Sequence, residues 1–362
     1  MKKNLMTAAV AALAIAATSN GVFAADKLKI GFIYPGPIGD LGWTYRHEIG
    51  RQEMVKALGD TVDATYFEDV SDGPDAERSI ELLARAGNKL IFTTSFGYIG
   101  PTLKVAKRFP KIDFEHATGF KIAPNVGSYA GRFYEGRYIQ GVIAGKMSKS
   151  GVLGYIASFP IPEVISGINA TILGAQTVNP NIKLKVIWVN TWFDPGKEAD
   201  AAMALADQGI DVLMQDTDSP AAMQVAAQRG ILAFGQDSDM IEFGPKTQLT
   251  SIIDNWGPYY IQQAKAVLDG TWKPKETWDG LKEKMVVMAP YTNMPADVKA
   301  LAEKTEAAII DGSLHPFKCP ILDQDGKPVE CKGAHLEHSQ ILGMNFYVKG
   351  VDDKIPGKIP GK

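Results

Sequence analysis

The sequence predicts an α/β protein built as two similar doubly wound halves. Three observations predict it. Short β-type runs alternate with amphipathic helical stretches from residue 28 onward, the rhythm restarts near Gly151, and the loops that follow the strands are rich in Trp, Phe and Asp. Alternation of this kind implies parallel sheets with helices on both faces. The 362 residues are 45% hydrophobic and 22% charged, enough core for one large or two ordinary domains. A net charge of −3 lacks the basic footprint of a nucleic-acid binder, so no nucleic-acid partner is expected.

In the first half, Leu28 to Tyr34 reads as a buried strand that ends in a Pro/Gly loop. Thr44 to Leu58 reads as a helix and Val62 to Phe67 as the next strand. Pro74 to Arg85 is a second helix, with proline in the first turn and Asp75 and Glu77 at the positive end of its dipole. Strand Lys89 to Thr94, a helix to Phe109 and strand Ile112 to His116 follow. The second half has strands over 152–157, 184–189, 212–215 and 231–234, with helices near 162–178, 195–208 and 219–229. Strand 250–253, helix 256–268, strand 285–289 and helix 295–311 come next. The chain closes on Ile-Pro-Gly-Lys twice, and residues 349–362 are expected to form a flexible tail.

Ahead of the first strand, Lys2 and Lys3 precede an apolar run from Leu5 to Thr18, then Val22-Phe23-Ala24. A charged start, a short apolar segment and small residues before a cut are the marks of a signal peptide over residues 1–24. The run falls short of the ~20 residues that a membrane span needs. No cysteine lies near the cut, so the expected destination is the periplasm, without lipid attachment. In that oxidising compartment the two cysteines, Cys319 and Cys331, are expected to pair. Asp325-Gly326 between them reads as a tight turn that brings the sulfurs side by side. Cys331, His335 and His338 are metal-ligand types, but their spacing matches no closed zinc pattern, and neither metal nor cofactor is expected.

Ligands of open α/β sheets sit beyond the carboxyl ends of the strands, so the loops there carry the functional question. Loop one, Pro35 to Trp43, offers Asp40 and Trp43. It lacks the lysine-serine ending of a phosphate loop. After the third strand, Ser95 and Phe96 supply a hydroxyl and an aromatic ring. In the second half the same positions carry Trp192, Asp218 and Asp237, with Asp254 and Trp256 at a crossover. Asp194 and Ser219, each followed by proline, read as helix caps. No nucleophile elbow, Ser–His or His–Cys constellation is present, so an enzyme (a nucleoside hydrolase would be the nearest) is not expected.

The order of Gly31-Phe32, Gly39-Asp40-x-Gly42-Trp43, Arg132-Phe133-Tyr134-Glu135-Gly136-Arg137-Tyr138, Trp192-Phe193-Asp194-Pro195 and Gly235-Gln236-Asp237-Ser238-Asp239 resembles the BMP family. These are the basic-membrane-protein or purine-nucleoside-receptor-like substrate-binding proteins of ABC transporters. The resemblance covers residues 28 to 310 and implies a type I periplasmic-binding fold, with two lobes joined by three crossovers near 130–134, 253–256 and 283–290. Lobe 1 would comprise 25–131 and 256–283, lobe 2 would comprise 132–255 and 284–316, and 317–348 would be a disulfide hairpin outside both sheets. The resemblance also implies a small ligand clamped between the lobes, a monomeric receptor and an inner-membrane permease as partner. It places the loop-one acid on Asp40, stacking aromatics on Trp43 or Phe96 and on Trp192, and a lobe-two acid on Asp237. Tyr134 of the crossover motif joins this ligand-binding set.

Nucleoside binders of the family commonly carry a lysine toward the ribose where this chain has Asp254 after Thr250-Ser251-Ile252-Ile253. That departure favours a bare purine base, adenine first and a nucleoside next. Flat heterocycles stack between aromatic faces and offer N–H groups to carboxylates. Acids with aromatics also suit a cationic solute or a sugar, and the residues alone leave those ligands open, as they do a sensory role.

Overall fold

The structure, a computed structural model, describes residues 26–357; the expected signal peptide and the second Ile-Pro-Gly-Lys repeat lie outside the described residues. Lobe 1 begins with β1 (Leu28–Ile33), α1 (Trp43–Leu58), β2 (Val62–Phe67), α2 (Pro74–Arg85), β3 (Leu90–Thr93), α3 (Ile99–Arg108), β4 (Asp113–Ala117) and β5 (Val126–Gly131). The chain then enters lobe 2 through α4 (Phe133–Met147), β6 (Val152–Ala157), α5 (Pro162–Gln176), β7 (Lys183–Trp188) and α6 (Pro195–Asp207). β8 (Val212–Gln215), α7 (Ala221–Arg229), β9 (Leu232–Gly235) and β10 (Gln248–Asp254) complete that run. It returns to lobe 1 for α8 (Gly257–Leu268) and β11 (Glu276–Asp279), then crosses again to β12 (Val286–Met288) and α9 (Ala296–Ile310).

Each lobe holds one six-stranded sheet, ordered β11-β5-β4-β3-β1-β2 in lobe 1 and β12-β10-β9-β8-β6-β7 in lobe 2. All pairings are parallel except β10 with β12. In both sheets the strand order reverses at the first strand, between β1 and β3 and between β6 and β8. The loops after those strands therefore diverge and leave a crevice. Buried apolar side chains hold the register: Phe32 sits opposite Phe92, with their rings stacked at 4.6 Å.

Three passages join the lobes, and they are bonded to one another. Arg132, between β5 and α4, reaches Glu135 Oε1 and, at 2.6 Å, Glu283 Oε2 beside the third passage. Asn255, in the second passage, donates from its backbone to Met285 O at 2.9 Å and from its side chain to Lys284 O at 2.8 Å. A hinge wired this way couples the three passages to one another.

Two sequence expectations need correction. The Arg132–Tyr138 motif is a crossover only at Arg132; from Phe133 it is a helix, buried at every residue through Gly145. A helix buried all round shows no polar stripe, so periodicity does not reveal it. It packs closely on α5, where a Cβ on Gly141 would fall 2.0 Å from Thr171 O.

The second correction concerns the C-terminal segment. Cys319 and Cys331 are bonded, and the turn at Asp325-Gly326 joins antiparallel arms, with Asp323 N donating to Lys327 O at 2.8 Å. The segment is not separate from the sheets, however, nor are residues 349–353 a loose tail. Val351 is buried and forms a parallel bridge with Leu184 on the edge strand β7. Leu184 N donates to Gly350 O at 2.9 Å, and Asp352 N donates to Leu184 O at 3.0 Å. Asn169 on α5 pins the stretch before it through Phe346 O at 2.8 Å and Val348 N at 3.0 Å. A short helix, α10 (His338–Leu342), closes the segment toward lobe 1.

Candidate functional site

The crevice between the lobes encloses about 600 Å³, its mouth included. Of the residues singled out in the sequence, Trp43, Ser95 and Phe96 line it from lobe 1, and Trp192, Asp218 and Asp237 from lobe 2. Trp43 opens α1; its indole N–H donates to Thr94 O at 2.6 Å, and its ring packs edge-on against Trp256 at 5.4 Å. Trp192 lies across the crevice on the loop after β7, propped by Phe159 at 5.0 Å. Thus aromatic faces enter from both lobes.

The other four candidates lie elsewhere. Asp40 is spent as a helix cap: its carboxylate accepts from Gly42 N at 2.9 Å, Thr44 N at 3.1 Å and Tyr45 N at 2.9 Å. Three free N–H groups at a helix start leave this acid nothing to offer a ligand. Tyr134 turns away from the crevice and packs on Trp278 at 5.5 Å and Phe317 at 5.3 Å. Asp254 and Trp256 are fully buried outside the crevice lining. Both Asp254 carboxyl oxygens, the Trp256 indole N–H and His47 Nε2 have no partner among the described residues. Asp194 caps α6 through Lys197 N at 3.1 Å, as its place before proline predicts.

Sequence reading missed the charged centre of the crevice. Arg137 of α4, fully buried, lies over the Tyr155 ring at 5.2 Å. Its guanidinium donates to the Gln236 carboxamide oxygen and, at 3.2 Å, to Asp216 Oδ2. Gln236 in turn donates to Asp237 Oδ1, so one cation orients the acid through an amide. Asp216 also accepts from Ser158 Oγ at 3.0 Å and Tyr155 Oη at 3.3 Å. Glu163, in the first turn of α5, faces the crevice with no side-chain partner among the described residues. Phe133 adds a further ring. The Arg132–Tyr138 motif contains Arg137 and is the signal that could have found it; for Glu163 there was no signal beyond an acid near a helix start.

The carboxyls outnumber the cations here, and their proton affinities show it. Burial, then the charge of Asp216, raises Asp237 to about 8. Burial likewise lifts Asp218, with Asp40 and Asp237 adding to it. Glu163 is raised by burial, Asp216 and Asp237. Protonated and ionised carboxyls side by side present donors as well as acceptors, which suits the mixed edge of a nitrogen heterocycle.

Across residues 27–316 the chain matches the Bmp family, described as ABC transporter substrate-binding protein PnrA-like. It is 64% identical over 333 residues to the purine-binding protein BAB2_0673 of Brucella abortus, covering 92% of this chain and 95% of that one. It is 35% identical to a protein of Haloferax volcanii named as a candidate ABC transporter glucose-binding protein, TsgA13, over 91% of this chain and 82% of that one. Its fold is that of an ABC transporter solute-binding protein from Aeropyrum pernix, with a TM-score of 0.70 at 19% identity over 87% of this chain and 95% of that one. Two α/β lobes on three passages are the type I periplasmic-binding fold. The chain belongs to the PnrA-like family of ABC transporter substrate-binding proteins, a family of small-molecule receptors with a transporter as partner.

Proposed function

We propose that this protein binds a purine base, adenine before adenosine, between its lobes and delivers it as a periplasmic monomer to an inner-membrane ABC permease. The observation that carries the reading is that aromatic rings from both lobes, Trp43 and Phe96 with Trp192, line the same crevice as carboxyls that Arg137 holds directly or through Gln236. The 64% identity to a purine-binding protein supports it. In this reading the rings take the two faces of the base, while Asp237, Asp218 and Glu163 meet its edge. Each stack contributes about 1–3 kcal/mol. Ligand that touches both lobes favours the closed form by just those contacts, and the closed form is what the permease engages. No residue in the crevice is assigned a catalytic role.

Titration calorimetry with adenine, adenosine, guanine and glucose tests the proposal. One-to-one binding is expected, tightest for adenine. Glucose binding without purine binding would overturn it, and mass spectrometry of co-purifying small molecules gives an independent reading.

A further inference from the structure

We propose that a second chamber beside the crevice is a subsite for an apolar ring or branched alkyl group carried on the exocyclic nitrogen of the same ligand. This rests on the purine reading and extends it.

The chamber spans about 510 Å³, its solvent-open mouth included, and shares Phe96, Thr118, Phe133 and Glu163 with the ligand crevice, so the two spaces adjoin, and we take that junction as the doorway between them. Beyond that doorway its walls are apolar: Phe120, Tyr134 and Trp278 on one side, Ile341 and Leu342 of α10 on the other. Ser166 is the further polar side chain there, and its hydroxyl is already spent on Glu163 O at 2.7 Å. An aromatic-lined space beside a polar crevice favours an apolar occupant.

The wall formed by α10 is built into the closed arrangement. Residues 317–351 lie past the part of the chain that the family match covers, and they grip lobe 2 through Asn169, as described, and through Trp188 Nε1 to Tyr347 Oη at 3.1 Å. At the other end His338 Nε2 meets Glu276 Oε1 of lobe 1 at 2.9 Å, with its ring edge-on to Trp278 at 4.2 Å. Leu342 is thus held opposite the lobe 1 aromatics.

Chemistry at the doorway fixes where the substituent is attached. The Glu163 carboxyl, without a protein partner among the described residues, stands at the junction of both spaces. It can accept one N–H while the rest of the group passes into the chamber. An exocyclic secondary amine supplies that geometry: one N–H for the acid, one carbon for the apolar space.

The test compares adenine, 6-benzylaminopurine and 9-benzyladenine by titration calorimetry on the full chain. Wild type should bind 6-benzylaminopurine at least as tightly as adenine and 9-benzyladenine about tenfold or more weakly. Leu342→Trp, which fills the chamber, should weaken 6-benzylaminopurine by about tenfold or more while leaving adenine unchanged. Adenine binding reports that this variant is folded; should it not fold, Leu342→Ala should weaken the benzyl ligand alone. Rejection of 6-benzylaminopurine by a wild type that binds adenine, or a preference for 9-benzyladenine, overturns the subsite. Failure of adenine itself would instead fall on the purine reading.

Discussion

The main-chain N–H of Trp43 in lobe 1 donates to the carboxylate of Asp218 in lobe 2 at 3.2 Å. Beside this contact a Cβ on Gly42 would stand 2.4 Å from Asp218 Cβ and 2.5 Å from its Cα. The lobes therefore meet at a point with room for glycine alone, and Asp218 joins Asp40 in facing the positive end of α1.

Gly42→Ala should obstruct that meeting. We expect adenine to bind more weakly by about 1–3 kcal/mol, the scale of an overpacked contact, and the ligand-saturated protein to scatter with a larger radius than wild type. Unchanged affinity and unchanged compaction would show that closure does not need this contact.

Trp192→Ala removes one ring from the crevice without touching the Arg137 centre. Affinity for adenine should drop by about 1–3 kcal/mol, read by calorimetry, with little change in melting temperature because the ring is half-buried. An undiminished affinity would place the stacking face elsewhere.

Asp40→Ala tests a different role. Three backbone N–H groups lose their acceptor, so stability should fall by about 1–2 kcal/mol in denaturant titration. Asp40→Asn, which keeps an acceptor oxygen, should recover much of it. Because Asp40 is outside the crevice lining, adenine affinity should move far less than in Trp192→Ala; a larger loss would return Asp40 to the ligand.

Asp237 carries a pH signature. Its carboxyl is raised by burial and by Asp216 from 3.8 to about 8, so between those values the folded chain holds a proton that the unfolded chain has released. Stability from this group is full below about pH 4 and is lost as pH rises through about 8. Between about pH 5 and 8 the melting temperature of the ligand-free Asp237→Asn variant should consequently fall less than that of wild type. Parallel curves would mean that Asp237 is ionised in the empty crevice.

Much of this architecture was legible from residues alone, because an exposed helix or a half-buried strand writes its period into the chain. β2, β7 and α2 are of that kind, whereas β1, β3, β6, β8 and β9 are buried almost throughout and were legible as short apolar runs bounded by turn residues. α4 is neither: Arg137, Glu135 and Gln140 are polar residues on a helix with no solvent side. β5 and β11 escaped for another reason, since Val126-Gly-Ser-Tyr-Ala-Gly and Glu276-Thr-Trp-Asp are poor in β-branched residues and pair across a long sequence gap. In the crevice, Ser95, Trp192, Asp218 and Asp237 line the walls from loops after strands, where topology sends ligands, and Trp43 opens α1 at the end of such a loop. Arg137 and Glu163 sit on helices, and what distinguishes Arg137 is its partners 79 and 99 residues away. Asp40 and Asp254 show the converse, acids in well-placed loops whose side chains the fold turns to capping or buries.

The bridge between Val351 and Leu184 bears on solubility. β7 is an outermost strand of the lobe 2 sheet, and an uncovered outermost strand is a template on which another copy can lay its own chain. Gly350 and Asp352 occupy the hydrogen-bonding positions of Leu184, while the Asp353 carboxylate takes Val186 N at 2.7 Å. Residues 350–353 thus act as a guard rail, so that a receptor crowded among its own kind presents that margin of the sheet already occupied.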